Sequence, residues 1–471
     1  MEELFFLDSG EFLSSLTREM IVKVYGDLDI ATIGKEEKLS DIVVDFFGDY
    51  IIRVKCGPYD VFISSSAASL SFVRNDKIYS EEDMIGISGY SDEYLKNIES
   101  LGRKYAPKNN MFDSKTITVL PACVLILDQH GSVIQNTSWF DLLLETPSKY
   151  SLEKMKNSVG RYFESKKTFL LTSGGIDTAV LINLLKSIKD IKYASYYFER
   201  TGGNNTPEDA HRLLHVMMGE KKYQHEVYQL DSLYANENKI YEQDVDLNLM
   251  KRLDLIDTSS CVACGQNSDS IIAPGFVKSD SLLSTFSNWG LSGGLKAMTV
   301  NTMLVFFRWD LSRRMLKGIF FILNLFLKPF SDKKIDYSVR GFYLGLFNTI
   351  PFVYSKRHLN NDLYASYDNV CKLFLKKIKD DNSSLVLLRL YTYAVYAMQN
   401  QRGVKASGYK YLLPFHSAYF IGFCLNRDFH LSEIWNPKKP MRDFLCNEGL
   451  PNDFLFYRKD VEGDAIVSQK N

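Results

Sequence analysis

Ser173-Gly174-Gly175-Ile176-Asp177-Thr178 is the densest group of chemically able residues in this 471-residue chain. Two glycines leave backbone N–H groups uncovered. Ser173 and Thr178 bring hydroxyl donors, and Asp177 brings a carboxylate. Upstream, the apolar run Thr168 to Thr172 reads as a buried strand. Downstream, Ile176 to Ser187 carries apolar residues at helical spacing. A strand, a glycine turn and a helix start together make an anion site. The N–H groups point at the ligand and the helix dipole favours negative charge there. A carboxylate in such a turn repels phosphate unless a cation lies between them. Asp177 is therefore expected to bind Mg²⁺, a hard cation that prefers oxygen ligands and bridges to phosphates. The alternative is an ordinary strand–turn–helix corner that needs two glycines. The Lys-Ser/Thr pair of the common phosphate loop is missing, so this is a different loop.

The elements that must position this loop follow in order. A second strand runs from Ile191 to Phe198. Thr206, Pro207 and Glu208 read as N-cap, first helical residue and first-turn acid of a helix to about Met218. A third strand runs from His225 to Leu230. Alternating strands and helices mean a parallel sheet, which binds ligands at the carboxyl ends of its strands. After an acidic, polar stretch over 232–260 comes Cys261-Val-Ala-Cys264-Gly265-Gln266-Asn267-Ser268-Asp269-Ser270. Glycine, amide and acid here suggest a second loop facing the same ligand, with Asp269 as another Mg²⁺ ligand. The alternative is a polar turn capping the next helix. Cys261 and Cys264 have no second pair to complete a zinc site, and read as small buried residues beside a tight loop.

The chain is long enough for two or three domains. Its hydrophobic content of 45%, charged content of 24% and net charge of −1 are those of a globular protein with no global pull toward nucleic acid or anionic membrane. Seven scattered cysteines suit a reduced, cytoplasmic chain. Met1-Glu2-Glu3-Leu4 does not read as a signal peptide.

Residues 1–148 read as a β-rich domain. Short β-prone runs cover Ile42 to Phe47, Tyr50 to Val54, Val61 to Ser64, Leu70 to Val73, Ile117 to Leu127 (broken at Pro121) and Ser132 to Gln135. The polar stretch around 146–152 marks the boundary with a second domain, 149–471. Within it, about 276–425 reads as a helical subdomain. Ala297 to Phe307 and Gly318 to Leu327 are apolar around the basic Arg308 to Arg314, but too short to span a bilayer. Packing as core helices or lying against a membrane surface or partner are the two readings of that stretch. The tyrosines at 391, 393 and 396 read as packing. Basic residues cluster again toward the end, at Lys438-Lys439-Pro440-Met441-Arg442 and Arg458-Lys459, where an anion partner or a solvated tail are the alternatives.

Taken in order, these motifs resemble the asparagine synthetase family of ATP-dependent, AMP-forming ligases. Ser173 to Thr178 is similar to its pyrophosphate loop, and Gly265-Gln266-Asn267-Ser268-Asp269-Ser270 to its Gly-Gln-Gly-Ala-Asp-Glu loop. Pro414-Phe415 resembles its Pro-Phe-Leu-Asp helix start. Lys439, Arg442, Leu450-Pro451 and Lys459 resemble its closing basic segment. Gly48-Asp49-Tyr50, Leu120-Pro121, Leu127-Asp128 and Trp139 resemble, more weakly, its Ntn-type glutaminase domain. The resemblance implies an α+β then α/β chain. A degenerate Ntn-hydrolase-like αββα domain would precede an ATP-pyrophosphatase (adenine nucleotide α-hydrolase-like) parallel-sheet domain with a helical subdomain. It implies ATP and Mg²⁺. Ser173, Gly174, Gly175, Asp177, Thr178, Gly265, Gln266, Lys439 and Arg442 would hold ATP and pyrophosphate. Asp177 and Asp269 would hold the metal, and Lys459 would be the catalytic lysine.

The departures bear on function. The family's glutaminase nucleophile is a cysteine after the initiator Met; here position 2 is Glu2 and the first cysteine is Cys56. A carboxylate cannot replace a thiolate in that reaction. The amine is thus expected to come from elsewhere than glutamine hydrolysed by this chain. The family's Glu before the Pro-Phe pair is Lys410 here, a second candidate catalytic residue whose charge suits an anionic substrate. The expected activity is amide or lactam formation through an acyl-adenylate, releasing AMP and pyrophosphate. Family members without the glutaminase cysteine include β-lactam and lasso-peptide macrolactam synthetases, which join an amine and a carboxylate within one substrate. The expected partners are a carboxylate (a small acid or a peptide), an amine, and a protein presenting substrate or ammonia. Neither nucleic acid nor a transmembrane segment is expected. A catalytically inactive binding or regulatory protein, ammonia-dependent amidation of a small acid or sugar acid, and an RNA-modifying ATP pyrophosphatase are the competing readings. The charge balance shows no basic groove for the last.

Overall fold

A computed structural model describes residues 9–101, 111–144, 149–164, 166–198, 206–219, 221–230, 260–266, 268–272, 410–426 and 438–451. Of the segments read from the sequence, Glu2, Asn267, Lys459, the acidic stretch over 232–259 and nearly all of the helical part, 273–409, lie outside the described residues.

The N-terminal part is built on a five-stranded antiparallel sheet in the order β1-β2-β3-β7-β8. Its strands are β1 (Ile21–Gly26), β2 (Tyr50–Cys56), β3 (Tyr59–Ser64), β7 (Cys123–Leu127) and β8 (Val133–Ser138). β3 and β7 are buried almost throughout because both faces of the sheet are covered, which explains the apolar runs Val61 to Ile63 and Cys123 to Leu127. On one face, Ile51, Phe62, Leu125 and Leu127 pack with Val73 and Val119. Those two come from a three-stranded sheet, β5-β4-β6, made of β4 (Ser71–Arg74), β5 (Lys77–Tyr79) and β6 (Ile117–Val119). On the other face lie α1 (Ser9–Ser15) and α2 (Leu39–Asp45). The far side of the small sheet carries α3 (Glu81–Ser88) and α4 (Asp92–Leu101). The layers therefore run helix, sheet, sheet, helix. Layering alone does not bring Ntn chemistry with it.

One expected strand is a helix. Ile42 to Phe47 is β-branched and aromatic, but Leu39, Ile42 and Val43 lie on one buried face at helical spacing within α2. Packing on the sheet overrides local β-preference there. Pro121 splits the run 117–127 into β6 and β7 as expected.

The second sheet is parallel, in the order β11-β10-β9-β12-β13. It comprises β9 (Thr168–Leu171), β10 (Ile191–Phe198), β11 (Gln224–Leu230), β12 (Cys261–Ala263) and β13 (Lys410–Leu412). Helices α6 (Ile176–Leu185) and α7 (Thr206–Met218) connect its first three strands. The chain lays β10 and β11 to one side of β9 and then β12 and β13 to the other. That reversal makes a topological switch point between β9 and β12, and such a crevice at the carboxyl ends is where open α/β sheets bind ligands.

Between the sheets runs α5 (Leu152–Phe163), capped by Ser151, whose side chain accepts from Lys154 N. Ile52, Val54, Val159, Phe163, Leu170 and Leu181 belong to one continuous core. Two carboxylates of the N-terminal part fasten it to the rest. Asp27 accepts from Tyr162 Oη at 2.8 Å and from Lys410 Nζ at 2.7 Å. Asp45 accepts from Tyr419 Oη at 2.5 Å, and its carbonyl accepts from Ser158 Oγ at 2.8 Å. Tyr419 lies on α9 (Ala418–Asn426). Among the described residues, no helix is long and apolar enough to cross a membrane.

Candidate functional site: two loops at the switch point

β9 is followed by Thr172, whose N–H donates to Ala194 O at 2.7 Å, and the chain then turns through Ser173 to Gly175 into α6. The two glycines are not equivalent. Gly174 has φ +71, and a Cβ there would lie 2.5 Å from Asp209 Cβ and 2.8 Å from the Asp209 carbonyl carbon. The first turn of α7 presses on it, so a side chain is excluded by conformation and by contact. Gly175, with φ −83, caps α6, and among the described residues a Cβ there would meet only Ser173 Oγ at 3.6 Å. Its missing side chain leaves open the approach to the helix start. Thr178 is buried, and its Oγ1 accepts from Ser173 N at 3.4 Å and lies 3.3 Å from Ser173 Oγ. That hydroxyl closes the loop on itself.

Asp177 lies in the first turn of α6, where a negative charge is favourable. Its Oδ2 forms an ion pair with Lys438 Nζ, while its Oδ1 is buried with no hydrogen-bond partner among the described residues. Lys438 precedes α10 (Lys439–Asn447). One turn along α10 stands Arg442. Burial pulls its guanidinium below the usual value, and the Asp177 carboxylate acts against that pull. Arginine stays charged throughout the working range. Lys439 turns the other way and pairs with Asp443 on the exposed side of the helix. The lysine facing the loop is therefore Lys438. The helical period of α10 decides between two adjacent lysines that the motif alone cannot tell apart.

The second loop leaves β12, next to β9. A Cβ on Gly265 would lie 3.1 Å from Asp177 Cβ and 3.6 Å from Thr178 N, so the two loops touch and glycine is what lets them. Gln266 beside it is half-buried. Ser268 opens α8 (Ser268–Ile272); it is fully buried, and its hydroxyl has no partner among the described residues. Asp269 is the second residue of α8, so its backbone follows directly on the touching loop. No group of three or more His, Cys, Asp or Glu side chains suited to a metal exists among the described residues.

Lys410 is not brought to these loops. It opens β13 opposite Cys261, which in turn pairs with Thr168, so it stands at the amino-terminal edge of the sheet. Four strand residues separate that edge from the loop, roughly 13 Å at strand rise. There Lys410 is ion-paired to Asp27. Pro414-Phe415-His416 form a short 3₁₀ turn beyond the other end of β13, all three buried. Burial pushes the His416 imidazole down to about 4.

The cysteines are packed residues. Cys261 Sγ lies 3.1 Å from Thr168 Oγ1, and burial raises its pKa. Cys264 Sγ lies 2.9 Å from Tyr411 Oη. In the N-terminal part, Cys56 and Cys123 are buried in strands, with both thiols pushed up by desolvation, Cys123 to about 12.

No family model matches this sequence, and no curated protein matches it. Among solved structures, part of the chain is similar to an NH3-dependent NAD synthetase from Campylobacter jejuni, solved with a nitrate ion. Identity is 17%, the likeness covers 27% of this chain and 60% of that one, and the TM-score is 0.21. A likeness of that extent carries no weight for function, and the fold described above rests on the strand register alone.

Proposed function

We propose that this chain is an ATP-dependent, AMP-forming ligase that activates a carboxylate as an acyl-adenylate and joins it to an amine. The observation that carries this reading is the contact of two loops at the switch point. Gly174 is tucked under α7, Gly175 is left uncovered at the start of α6, and Gly265 touches Asp177. An uncovered helix start with an adjacent lysine and arginine suits a polyphosphate.

In this reading the N–H groups of Gly174 and Gly175 and the Ser173 hydroxyl, with Lys438 and Arg442, bind the β- and γ-phosphates of ATP. Lys438 exchanges its contact with Asp177 for the phosphates as the nucleotide enters. The unpartnered Asp177 Oδ1 fits an oxygen ligand for Mg²⁺, and Asp269 is the proposed second ligand. Mg²⁺ bound there would offset charge on the phosphates. The substrate carboxylate attacks the α-phosphorus and pyrophosphate leaves. The loop donors and Lys459, a proposed catalytic lysine, meet the charge that develops. The amine then attacks the acyl carbon and AMP leaves. The buried, high-pKa thiols of Cys56 and Cys123 support an amine source other than glutamine hydrolysed on these residues. A free amine or ammonia, or an amine of the same substrate closing a lactam, fits that chemistry. We further propose a cytoplasmic protein that takes a small acid or a peptide as substrate.

ATP–pyrophosphate exchange with Mg²⁺, screened against Asp, Glu, acidic peptides and small diacids, tests the reading. Exchange stimulated by one acid and abolished by Asp177→Asn is the expected result. ATP binding that survives without exchange on any acid would favour an inactive binding protein, a reading supported by the Lys438–Asp177 pair. Absence of ATP binding would end the proposal.

A further inference from the structure

A hydrogen-bonded chain leads sideways from the start of the loop, across β10 to β11, to a pair of imidazoles. Ser195 on β10 is fully buried, and its Oγ donates to the Thr172 carbonyl at 2.9 Å. Thr172 Oγ1 donates to Ala194 O at 3.1 Å and lies 3.0 Å from Ser195 Oγ. Ser195 Oγ is also 2.8 Å from His225 Nε2 on β11. A hydroxyl has one proton to give. With that proton on the Thr172 carbonyl, the imidazole must donate to Ser195, which puts its proton on Nε2 and leaves Nδ1 to take a second one. Protonation then changes the charge at the end of the chain without breaking any bond in it.

His225 is stacked on His211 of α7, with ring centroids 6.0 Å apart and planes 13° off parallel. His211 is exposed. α7 is the helix whose first turn presses on Gly174, so the imidazole pair and the loop share one support. Among the described residues, the groups facing His225 are His211 from α7 and Tyr193 and Ser195 from β10. Tyr223 from its own segment lies against His211 and Tyr193. No carboxylate among them holds the imidazolium. Burial first, and His211 second, lower the His225 pKa, so the ring is neutral near pH 7 in the free protein.

We propose that Ser195 and His225 are positioning residues for the phosphate loop, and that His225 couples anion binding at Ser173 to proton uptake. The inference rests on the phosphate-binding reading of that loop. Thr172, next to the loop, is two hydrogen bonds from His225, and a polyanion on the loop supplies the negative field that the free protein lacks there. By linkage, binding raises the His225 pKa, and affinity rises as pH falls through its titration range. For one charge at this separation the effect is about three- to ten-fold in affinity.

The test measures ATP and pyrophosphate affinity from pH 5.5 to 8 for the full chain, His225→Gln and Ser195→Ala, with NMR titration of the histidine rings. Glutamine keeps a donor for Ser195 and removes the titration. Dividing each wild-type affinity by that of His225→Gln cancels the ligand's own protonation. The expected result is a ratio near one at pH 8 that rises about three- to ten-fold toward pH 5.5, with the His225 resonance titrating at higher pH when ligand is bound. Ser195→Ala should weaken binding at every pH and uncouple the His225 titration from ligand. A flat ratio, or a His225 titration indifferent to ligand in the wild-type chain, would overturn the coupling while leaving the phosphate site standing. No binding of either ligand by the wild-type chain would sink both.

Discussion

Gly174 and Gly175 are neighbours under different constraints, and substitution separates them. Gly174→Ala places a side chain in the left-handed region and against Asp209, at a cost of about 1–2 kcal/mol for conformation alone. Urea unfolding should show that loss or more. Gly175→Ala meets no neighbour closer than 3.6 Å and should leave the urea midpoint nearly unchanged. The same change should weaken ATP binding, because the methyl group lies over the helix start. Lys438 and Lys439 make a second such pair. Lys438→Ala removes the cation paired with Asp177 and should lower kcat/KM for pyrophosphate exchange at least ten-fold, the size of one charged contact of about 1.4 kcal/mol. Lys439→Ala removes an exposed i,i+4 pair and should change neither exchange nor stability by more than about 0.5 kcal/mol.

At the scale of elements, β13 is held from below. Lys410 and Tyr162 both reach Asp27, so the edge strand of the parallel sheet is tied to the N-terminal part at the end away from the loops. Lys410→Met should therefore act on stability more than on chemistry. Lys410 is 41% exposed and Asp27 keeps its Tyr162 contact, which limits the expected loss to about 1 kcal/mol. A double-mutant cycle with Asp27→Asn, read by urea unfolding, measures the pair. A large fall in kcat at unchanged stability would instead return Lys410 to the chemistry. The same element-scale logic explains α2. Its residues favour a strand when read locally, but the sheet beneath it is already complete and offers a face for a helix to cover.

For the molecule as a whole, the continuous core makes His416 a reporter of global stability. It is fully buried and neutral, with a pKa of about 4 against an ordinary 6.5. Below pH 6.5 the unfolded chain binds a proton that the folded chain refuses. Stability should therefore fall as pH drops from about 6.5 to about 4 and change no further on this account below that. The ceiling of the loss is about 3 kcal/mol. Urea unfolding at a series of pH values should show the slope, and His416→Gln should flatten it.

The loop Ser173 to Thr178, strands β9, β10 and β11, helices α6 and α7 and the parallel direction of the strands could be read from the chain, whereas the three-residue strands β12 and β13 could not. What could be read rests on local periodicity, turn chemistry and the alternation of strand with helix. Pairings between distant residues could not be read this way. Which of two adjacent lysines faces Asp177 depends on how α10 is rotated. Whether Lys410 is near the loop depends on the register of β13 against β12. The chain Thr172–Ser195–His225 joins the residue after β9 to β10 and β11, and no local pattern encodes which strands lie side by side. Local sequence determines what each segment becomes, because propensity and patterning act over a few residues. Tertiary packing decides which side chains meet, because register and helix rotation are set by the whole core at once.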